Sequence, residues 1–345
     1  NYRQTVWLTV DATYHDGHLS VANLDIISQP GLSLALQGDV RGITGPLEEM
    51  KADFPVLRLS ASGEAINSIV TDFAHLPQST LDFITRLGDV ELNASVDGSA
   101  RGARFDGHVS VAQGEADIDA EYRMSQDGTR YLDGKVHTSL FELGSLLDNE
   151  DFGSITADVD AGIAFKGKDI SGHAKLDVPL FTYKGYPYSA ISGEMDKRGD
   201  QIEGEVHVAD PNLDFEIEGT AALRGAASML DVRADVRTLN LSALNLGTPY
   251  DDISVTGTLD ASLTGNNLGN VEGYLDVSGL RFSSARYPEI VCDNIHLESQ
   301  RGELPHSLTL TSDYVDMSVI GEYDLAALPA SFKELVSYFL PDLVP

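Results

Sequence analysis

The sequence has very little cysteine, little positive charge and no long apolar run. Its 345 residues include one cysteine, Cys292, which excludes an internal disulfide framework and a cysteine-based zinc site. Lysine and arginine number 23 against 54 aspartates and glutamates, and the net charge is −31. Nucleic acid would be repelled, and direct adhesion to anionic lipid headgroups is disfavoured for the same reason. No stretch approaches the roughly 18 consecutive apolar residues of a membrane-spanning helix.

The motifs of the common catalytic and cofactor sites are also missing. The chain carries no phosphate-binding loop, no nucleophile elbow, no HExxH zinc motif and no dinucleotide glycine fingerprint. We therefore predict no catalytic residue, no cofactor and no enzymatic activity. Cys292 lies in a strand-like stretch without a matched histidine, which favours a small buried side chain over a nucleophile.

Three polar groups could suggest a metal but are better explained as solvated turns. His15 and His18 flank a turn around Asp16, yet no third ligand is close in sequence. The acidic runs at 148–151 and 251–252 lack the alternating oxygen ligands and the closing glutamate of a calcium loop. No metal site is predicted.

Alternating apolar residues are the signal that recurs along the chain. From Ile155 to Phe165 every second residue is apolar, and this period of two puts one set on each face of a pleated strand. Turn residues at 166–169 and a second strand from His173 to Val178 complete a hairpin with one apolar and one polar face.

The hairpin repeats within the sequence. Gly88, Gly102 and Gly107 precede Gly153, Gly167 and Gly172 at one constant offset, and residues 253–277 show the pattern again. A longer repeat of about 100 residues relates residues 213–223 to residues 315–325. Short strands are predicted near the start as well, among them Thr5–Val10 and Val56–Ala61.

Two segments have helical spacing instead. Residues 64–88 are predicted to form a helical insertion of two short helices, and residues 329–345 contain a short amphipathic helix. Single helical turns are expected at 141–147 and 241–246. The predicted organisation is therefore a β repeat at 1–63, the insertion at 64–88, β-groove repeats at 89–328 and the terminal helix at 329–345.

These patterns predict a mainly all-β fold, an elongated antiparallel meander curved into a groove. A closed core, as in a sandwich or solenoid, is the alternative, but the repeats add strands without an obvious returning layer. The groove would be lined by the apolar set of the strands. The candidate groove residues are Leu34, Leu36, Leu92, Val96, Val109, Val111, Val159, Ile163, Phe165, Val255, Leu259, Leu263, Leu275 and Val277.

Three segments of the chain carry a family resemblance. They are the glycine-spaced run from Gly153 to Val178, the late stretch from Ile290 to Pro341 with its SDYVDMSVIGEYDLAAL core and SFKELVSYFLP helix, and the insertion after Ser62. With these motifs the chain resembles the TamB branch of the AsmA-like family, in the form found in Bacteroidetes. The repeats cover most of the chain.

The resemblance implies a fold, a location and partners. Such proteins form a taco-shaped β-sheet with an apolar groove, and they are anchored in the inner membrane of Gram-negative bacteria and cross the periplasm. The family is associated with phospholipid movement between the membranes and with assembly of outer-membrane proteins. The implied partners are a phospholipid or other acyl-chain amphiphile, and an outer-membrane barrel of the TamA/BamA type that would meet a C-terminal region lying outside this sequence. We expect a periplasmic piece of a longer protein whose anchor also lies outside it.

Two other functions remain open from the residues alone. A surface adhesin or glycan-binding repeat protein would also be acidic and rich in glycine, and its aromatic platform would be the cluster of Tyr183, Tyr186 and Tyr188. A polysaccharide lyase on a β-solenoid would need a basic or metal-loaded groove, and the shortage of lysine and arginine argues against it.

Overall fold

The computed structural model describes residues 5–29, 31–66, 85–167, 169–246, 253–267, 269–284, 288–302 and 305–322. These residues contain nineteen strands and a few short helices. The strands are β1 (Val6–His15), β2 (His18–Ser28), β3 (Leu32–Arg41), β4 (Lys51–Ala61), β5 (Val90–Ser99), β6 (Gly102–Val111), β7 (Gly114–Met124), β8 (Arg130–Glu142), β9 (Phe152–Lys166), β10 (Asp169–Tyr183), β11 (Tyr186–Arg198), β12 (Gln201–Asp210), β13 (Leu213–Ala222), β14 (Met229–Asn240), β15 (Ser254–Thr264), β16 (Glu272–Ser283), β17 (Ile290–Gln300), β18 (Ser307–Ser312) and β19 (Met317–Ile320).

The chain divides into two units, Asn1–Glu194 and Met195–Pro345. In the first unit β1 to β10 pair in chain order, each strand antiparallel to the next. In the second unit β12 to β19 pair in the same way. Strand β11 crosses the boundary between them. The predicted fold class, a mainly β antiparallel meander with short helices, is confirmed.

Helices are few in the described part of the chain. Helix α1 covers Leu143–Leu147, and two 3-10 helices cover Leu47–Glu49 and Gly225–Ala227. The predicted insertion is helical at both described ends, at residues 63–66 and 85–87, while residues 67–84 lie outside the described residues. The predicted helix at 329–345 also lies outside them. Among the described residues, no helix is long and apolar enough to cross a membrane.

Several strands are longer than predicted. The strand predicted to begin at Val56 begins at Lys51, although Pro55 interrupts the run of potential donors. The register explains this, because the β3–β4 and β4–β5 ladders both skip the position of Pro55, and a bulge is where a strand accepts a proline. In the single helical turn predicted at 241–246, residues 241–245 form turns, and the Leu244 amide donates to the carbonyl oxygen of Asn240 at 3.2 Å.

Bulges form a line across the first four strands. Register shifts fall near Asp11 in β1, between Val21 and Leu24 in β2, at Gly38 in β3 and beside Pro55 in β4. Gly38 has φ +152°, and a Cβ there would lie 2.1 Å from the carbonyl oxygen of Asp53. Bulges bend and twist the strands that contain them, so this line introduces curvature into the first unit.

Candidate functional site

One face of the first unit is apolar from its first strand to its tenth. Residues directly opposite each other in an antiparallel ladder project to the same face, so the registers define rows that run across the strands. The middle row contains Val10, Leu24, Leu36, Leu57, Ala94, Gly107, Ile118, Val136, Val159 and Leu176. A parallel row contains Leu8, Ile26, Leu34, Leu59, Leu92, Val109, Ala116, Thr138 and Ala157. We call this surface the apolar face.

Several side chains on the apolar face remain in contact with water. Val136 lies in the middle row on an interior strand and is still 36% exposed. Leu132 and Ile163, two rows along, are 43% and 42% exposed. In a closed sandwich, interior positions such as these would be covered by the opposing sheet. The closed-core alternative therefore does not describe this part of the first unit.

The apolar face is also almost uncharged. Among the described strand residues of β1 to β10 that belong to it, the one side chain charged at neutral pH is Arg130, opposite Phe165 at the start of β8. The protein as a whole carries 54 acidic side chains, so their exclusion from this face is a strong segregation.

All fourteen candidate groove residues project to an apolar face. Nine belong to the first unit: Leu34, Leu36, Leu92, Val96, Val109, Val111, Val159, Ile163 and Phe165. Five belong to the second unit: Val255, Leu259, Leu263, Leu275 and Val277. Thirteen are half-buried and Ile163 is exposed.

The second unit repeats the arrangement. One of its rows joins Val206, Ile217, Ala234, Leu259, Val277 and Ile295. The next joins Gly204, Gly219, Val232, Ala261, Leu275, Leu297 and Leu310. Alternation in sequence has therefore produced one apolar face in each unit.

An aromatic cluster stands at one end of the apolar face of the first unit. It consists of Phe152, Phe181, Tyr183, Tyr186 and Tyr188. The Tyr186 and Tyr188 rings meet edge to face at 4.8 Å, and the Phe152 and Tyr183 centroids are 5.2 Å apart. Phe181 pairs with Ile155, which continues the apolar alternation of β9, so the cluster belongs to the apolar face.

The opposite face of the first unit is polar and joined by ion pairs across its strands. One of its rows contains Asn93, His108, Asp117, His137, Asp158 and Asp177. His108 Nδ1 lies 2.7 Å from an Asp117 oxygen, and His137 Nδ1 lies 2.8 Å from an Asp158 oxygen. The hydrogen bond with Asp117 raises the pKa of His108 above its ordinary value.

Two carboxylates in other pairs on the polar surface, Asp127 and Asp39, have lowered pKa values. Hydrogen bonding to Lys166, with Nζ and Oδ2 2.6 Å apart, lowers the pKa of Asp127 below its usual range. The His18 ring, 2.7 Å from Asp39, likewise lowers the pKa of Asp39. Each of these carboxylates already has a cationic or hydrogen-bonding partner within the chain.

The described residues that were weighed as metal ligands remain apart, while residues 251–252 lie outside the described part of the chain. No group of three or more potential ligands is found among the described residues. His15 and Asp16 are exposed side by side, whereas His18 pairs with Asp39 on a neighbouring strand. Cys292 is buried, as predicted.

Two features of the site were not predicted from sequence. Phe152 and Phe181 join the tyrosines because β9 and β10 are paired in a bulged register, which alternation alone does not fix. The cross-strand row of histidines and aspartates needs the registers of five consecutive ladders. The signal that was present is that His108, Asp117, His137 and Asp158 all lie at polar-phase positions of their strands.

Comparisons with known proteins found nothing similar: no family model, no curated protein and no solved structure matches the chain.

Proposed function

We propose that the apolar faces hold the acyl chains of phospholipids, and that the chain is a periplasmic segment of a TamB/AsmA-like envelope-spanning protein. In that role it would carry phospholipid between the inner and outer membranes, support outer-membrane protein assembly, or do both. The observation that carries the proposal is a nearly uncharged apolar face that is continuous in register over ten strands and has exposed side chains in β8 and β9.

The chemistry of such a face suits a hydrocarbon tail. A methylene removed from water gains roughly 0.8 kcal/mol, and an open sheet covers only one side of a tail, so many methylenes must contact the face together. Successive strands are about 4.8 Å apart, so nine steps across the first unit provide roughly 40 Å of apolar surface. Binding can therefore be extended and weak per atom, as suits a ligand that must also leave.

The face also favours movement along it. Contacts between a tail and apolar side chains are non-directional and do not fix a register, whereas hydrogen bonds would hold the ligand at one place. The headgroup can stay in water beside the sheet, so the acidic opposite face need not contact it. These properties support transport more than tight storage.

Glycan binding is less well supported. A sugar-binding platform needs an exposed flat ring, but Tyr188 is buried and the rings of the aromatic cluster pack against one another.

The test compares the same substitution at two adjacent positions of β15. Leu259 lies on the apolar face, opposite Val277, and Thr258 lies on the polar face, opposite Asp235. We expect Leu259→Arg to reduce crosslinking to a photoactivatable phospholipid at least about tenfold, because it places a charge in the path of the tail. Thr258→Arg should leave crosslinking unchanged, since its side chain meets Asp235.

Circular dichroism and thermal unfolding would show that both variants fold. In the full-length parent, Leu259→Arg should impair outer-membrane integrity, whereas Thr258→Arg should leave it normal. Equal crosslinking by the two folded variants would overturn the proposal.

A further inference from the structure

The β10–β11 hairpin brings a cation, a carboxylate and a tyrosine ring together beside the aromatic cluster. Lys184 and Gly185 have φ +49° and +75°, values typical of the two-residue turn of a tight hairpin. The Lys184 backbone amide donates to the carbonyl oxygen of Asp151 at 2.6 Å, which fixes the hairpin against the loop after α1. The Lys184 ammonium then lies 3.9 Å from the Asp151 carboxylate and 5.7 Å from the centroid of the Tyr183 ring.

This lysine–aspartate pair is accessible. The side chains of Lys184 and Asp151 are 38% and 50% exposed, and an exposed pair at this separation is held weakly. Both charged groups are therefore within reach of an incoming group of opposite charge. The position of Lys184 also shows that the face of Tyr183 can receive an ammonium group.

The pair lies where the apolar face ends. Tyr183 is opposite Phe152, and Phe181 is opposite Ile155, two residues before Ala157 on the apolar face. Tyrosine, with an apolar ring and a polar hydroxyl, is the side chain favoured at the boundary between hydrocarbon and water. A ligand whose tail lies on the apolar face would thus place its headgroup at Lys184 and Asp151.

We propose that Lys184, Asp151 and Tyr183 form a headgroup site selective for zwitterionic phospholipids. The headgroup phosphate pairs with Lys184, and its ammonium is held by Asp151 and the face of Tyr183. A headgroup with no net charge is not repelled by a chain of net charge −31, whereas an anionic headgroup is. The inference rests on the proposed function and adds a lipid class to it.

The test measures binding of two short-chain lipids, diheptanoyl phosphatidylcholine and diheptanoyl phosphatidylglycerol, each below its micelle concentration. Calorimetry on the whole chain should show the zwitterionic lipid binding at least about fivefold more tightly. Asp151→Asn and Tyr183→Leu should each reduce that affinity about three- to tenfold and leave the anionic lipid nearly unchanged. Asp151→Lys should shift the preference toward the anionic lipid, because the site then carries two cations.

Tyr131→Leu is the matched control. Tyr131 lies on the polar face, with the Arg123 guanidinium carbon 5.6 Å from the centroid of its ring. The substitution therefore removes a ring that a cation contacts and leaves the aromatic cluster intact. It should change neither affinity. Asp151→Asn alters one exposed side chain, so it keeps the test valid if Tyr183→Leu fails to fold.

The outcomes separate this inference from the function on which it rests. Val159→Asp, in the middle of the apolar face, should weaken both lipids equally. If the unaltered chain binds neither lipid, the proposed function fails and the headgroup site with it. If both bind equally, and the Asp151 and Tyr183 variants change nothing, the headgroup site is overturned while the lipid-binding face stands. Binding of an alkyl-free oligosaccharide that Tyr183→Leu abolishes would overturn the headgroup site in favour of a glycan.

Discussion

The two faces of the first unit are built from the same strands but satisfy their side chains in different ways. On the polar face, Arg123 contacts Asp133 at 2.6 Å and Lys135 contacts Asp160 at 3.4 Å, so charged groups find partners within the sheet. On the apolar face, Val136 and Ile163 remain open to water. One face pairs its charged groups within the sheet, and the other leaves apolar side chains exposed.

That difference indicates where function and stability are located. Exposed ion pairs contribute little stability, about 0–1 kcal/mol each. Burial of apolar side chains contributes more, but most side chains of the apolar face are only half-buried. Under the proposed function the apolar face combines two roles, since its lateral packing stabilises the sheet and its exposed side chains would contact a lipid tail. The following substitutions test the contrast.

The largest effect is expected at the bulge line on the apolar side. Gly38→Ala places a Cβ against the Asp53 carbonyl oxygen in a backbone conformation that alanine rarely adopts. We expect a loss of roughly 1–3 kcal/mol in the free energy of unfolding, measured by urea denaturation. Gly128→Ala, at a turn where a Cβ would meet no atom within 4 Å, has φ +82° and controls for backbone strain alone. Equal losses would show that the close approach at Gly38 is unimportant.

A smaller effect separates the faces at adjacent positions of β4. Leu59 is half-buried on the apolar face between Leu34 and Leu92, whereas Arg58 is exposed on the polar face. Because full burial of leucine makes its truncation cost about 2–5 kcal/mol, Leu59→Ala should cost roughly 1–2 kcal/mol. Arg58→Ala should change stability by less than about 0.5 kcal/mol. A loss at Leu59 as large as in a closed core would mean that another layer covers the apolar face.

The polar face should respond to pH through His108. Asp117 raises the pKa of His108 by hydrogen bonding, so the stability from this contact is fully present below the ordinary value of about 6.5. It is lost as the pH rises through the raised value, because the neutral ring binds the carboxylate less strongly. Two acidic groups face this ring: Asp117, 2.7 Å from His108 Nδ1, and Glu115, 3.6 Å from His108 Nε2.

Proton NMR titration would check this directly. The His108 pKa should lie above the ordinary histidine value, and Asp117→Asn should bring it down. Stability measured at about pH 6 and pH 8 should differ more for the unaltered chain than for His108→Gln. A His108 pKa at or below its ordinary value would show that the contact with Asp117 does not stabilise the charged ring.

The smallest effect is expected for an exposed ion pair. Lys166 and Asp127 are 2.6 Å apart with side chains 60% and 55% exposed. Lys166→Gln should lower Tm slightly at low salt, and the difference should vanish near 1 M salt, where screening acts over only about 3 Å. A large fall in Tm that persists at high salt would show that the polar face also carries the fold.

Alternation in the sequence predicted the fold class and the faces because a period of two fixes which side chains share a side. It therefore placed Val159 and Leu259 correctly on apolar faces before any register was known. Strand ends were less predictable, since Pro55 reads as a terminator until a bulge in both neighbouring ladders accommodates it. The Phe152–Phe181 contact and the His108–Asp117 contact depend on pairing between strands, which a single strand's pattern does not contain.

The consecutive pairing of strands has a consequence for how the chain folds. Among the described residues of each unit, the strands pair with those before and after them in sequence, so every ladder closes a short loop apart from the one that closes over residues 62–89. Contacts this local favour rapid formation, and any hairpin can serve as a nucleus to which neighbours add one at a time. The β4–β5 ladder, which closes over residues 62–89, is then the slow step of the first unit, and the strands on either side of it should be the pieces that acquire protection from hydrogen exchange separately.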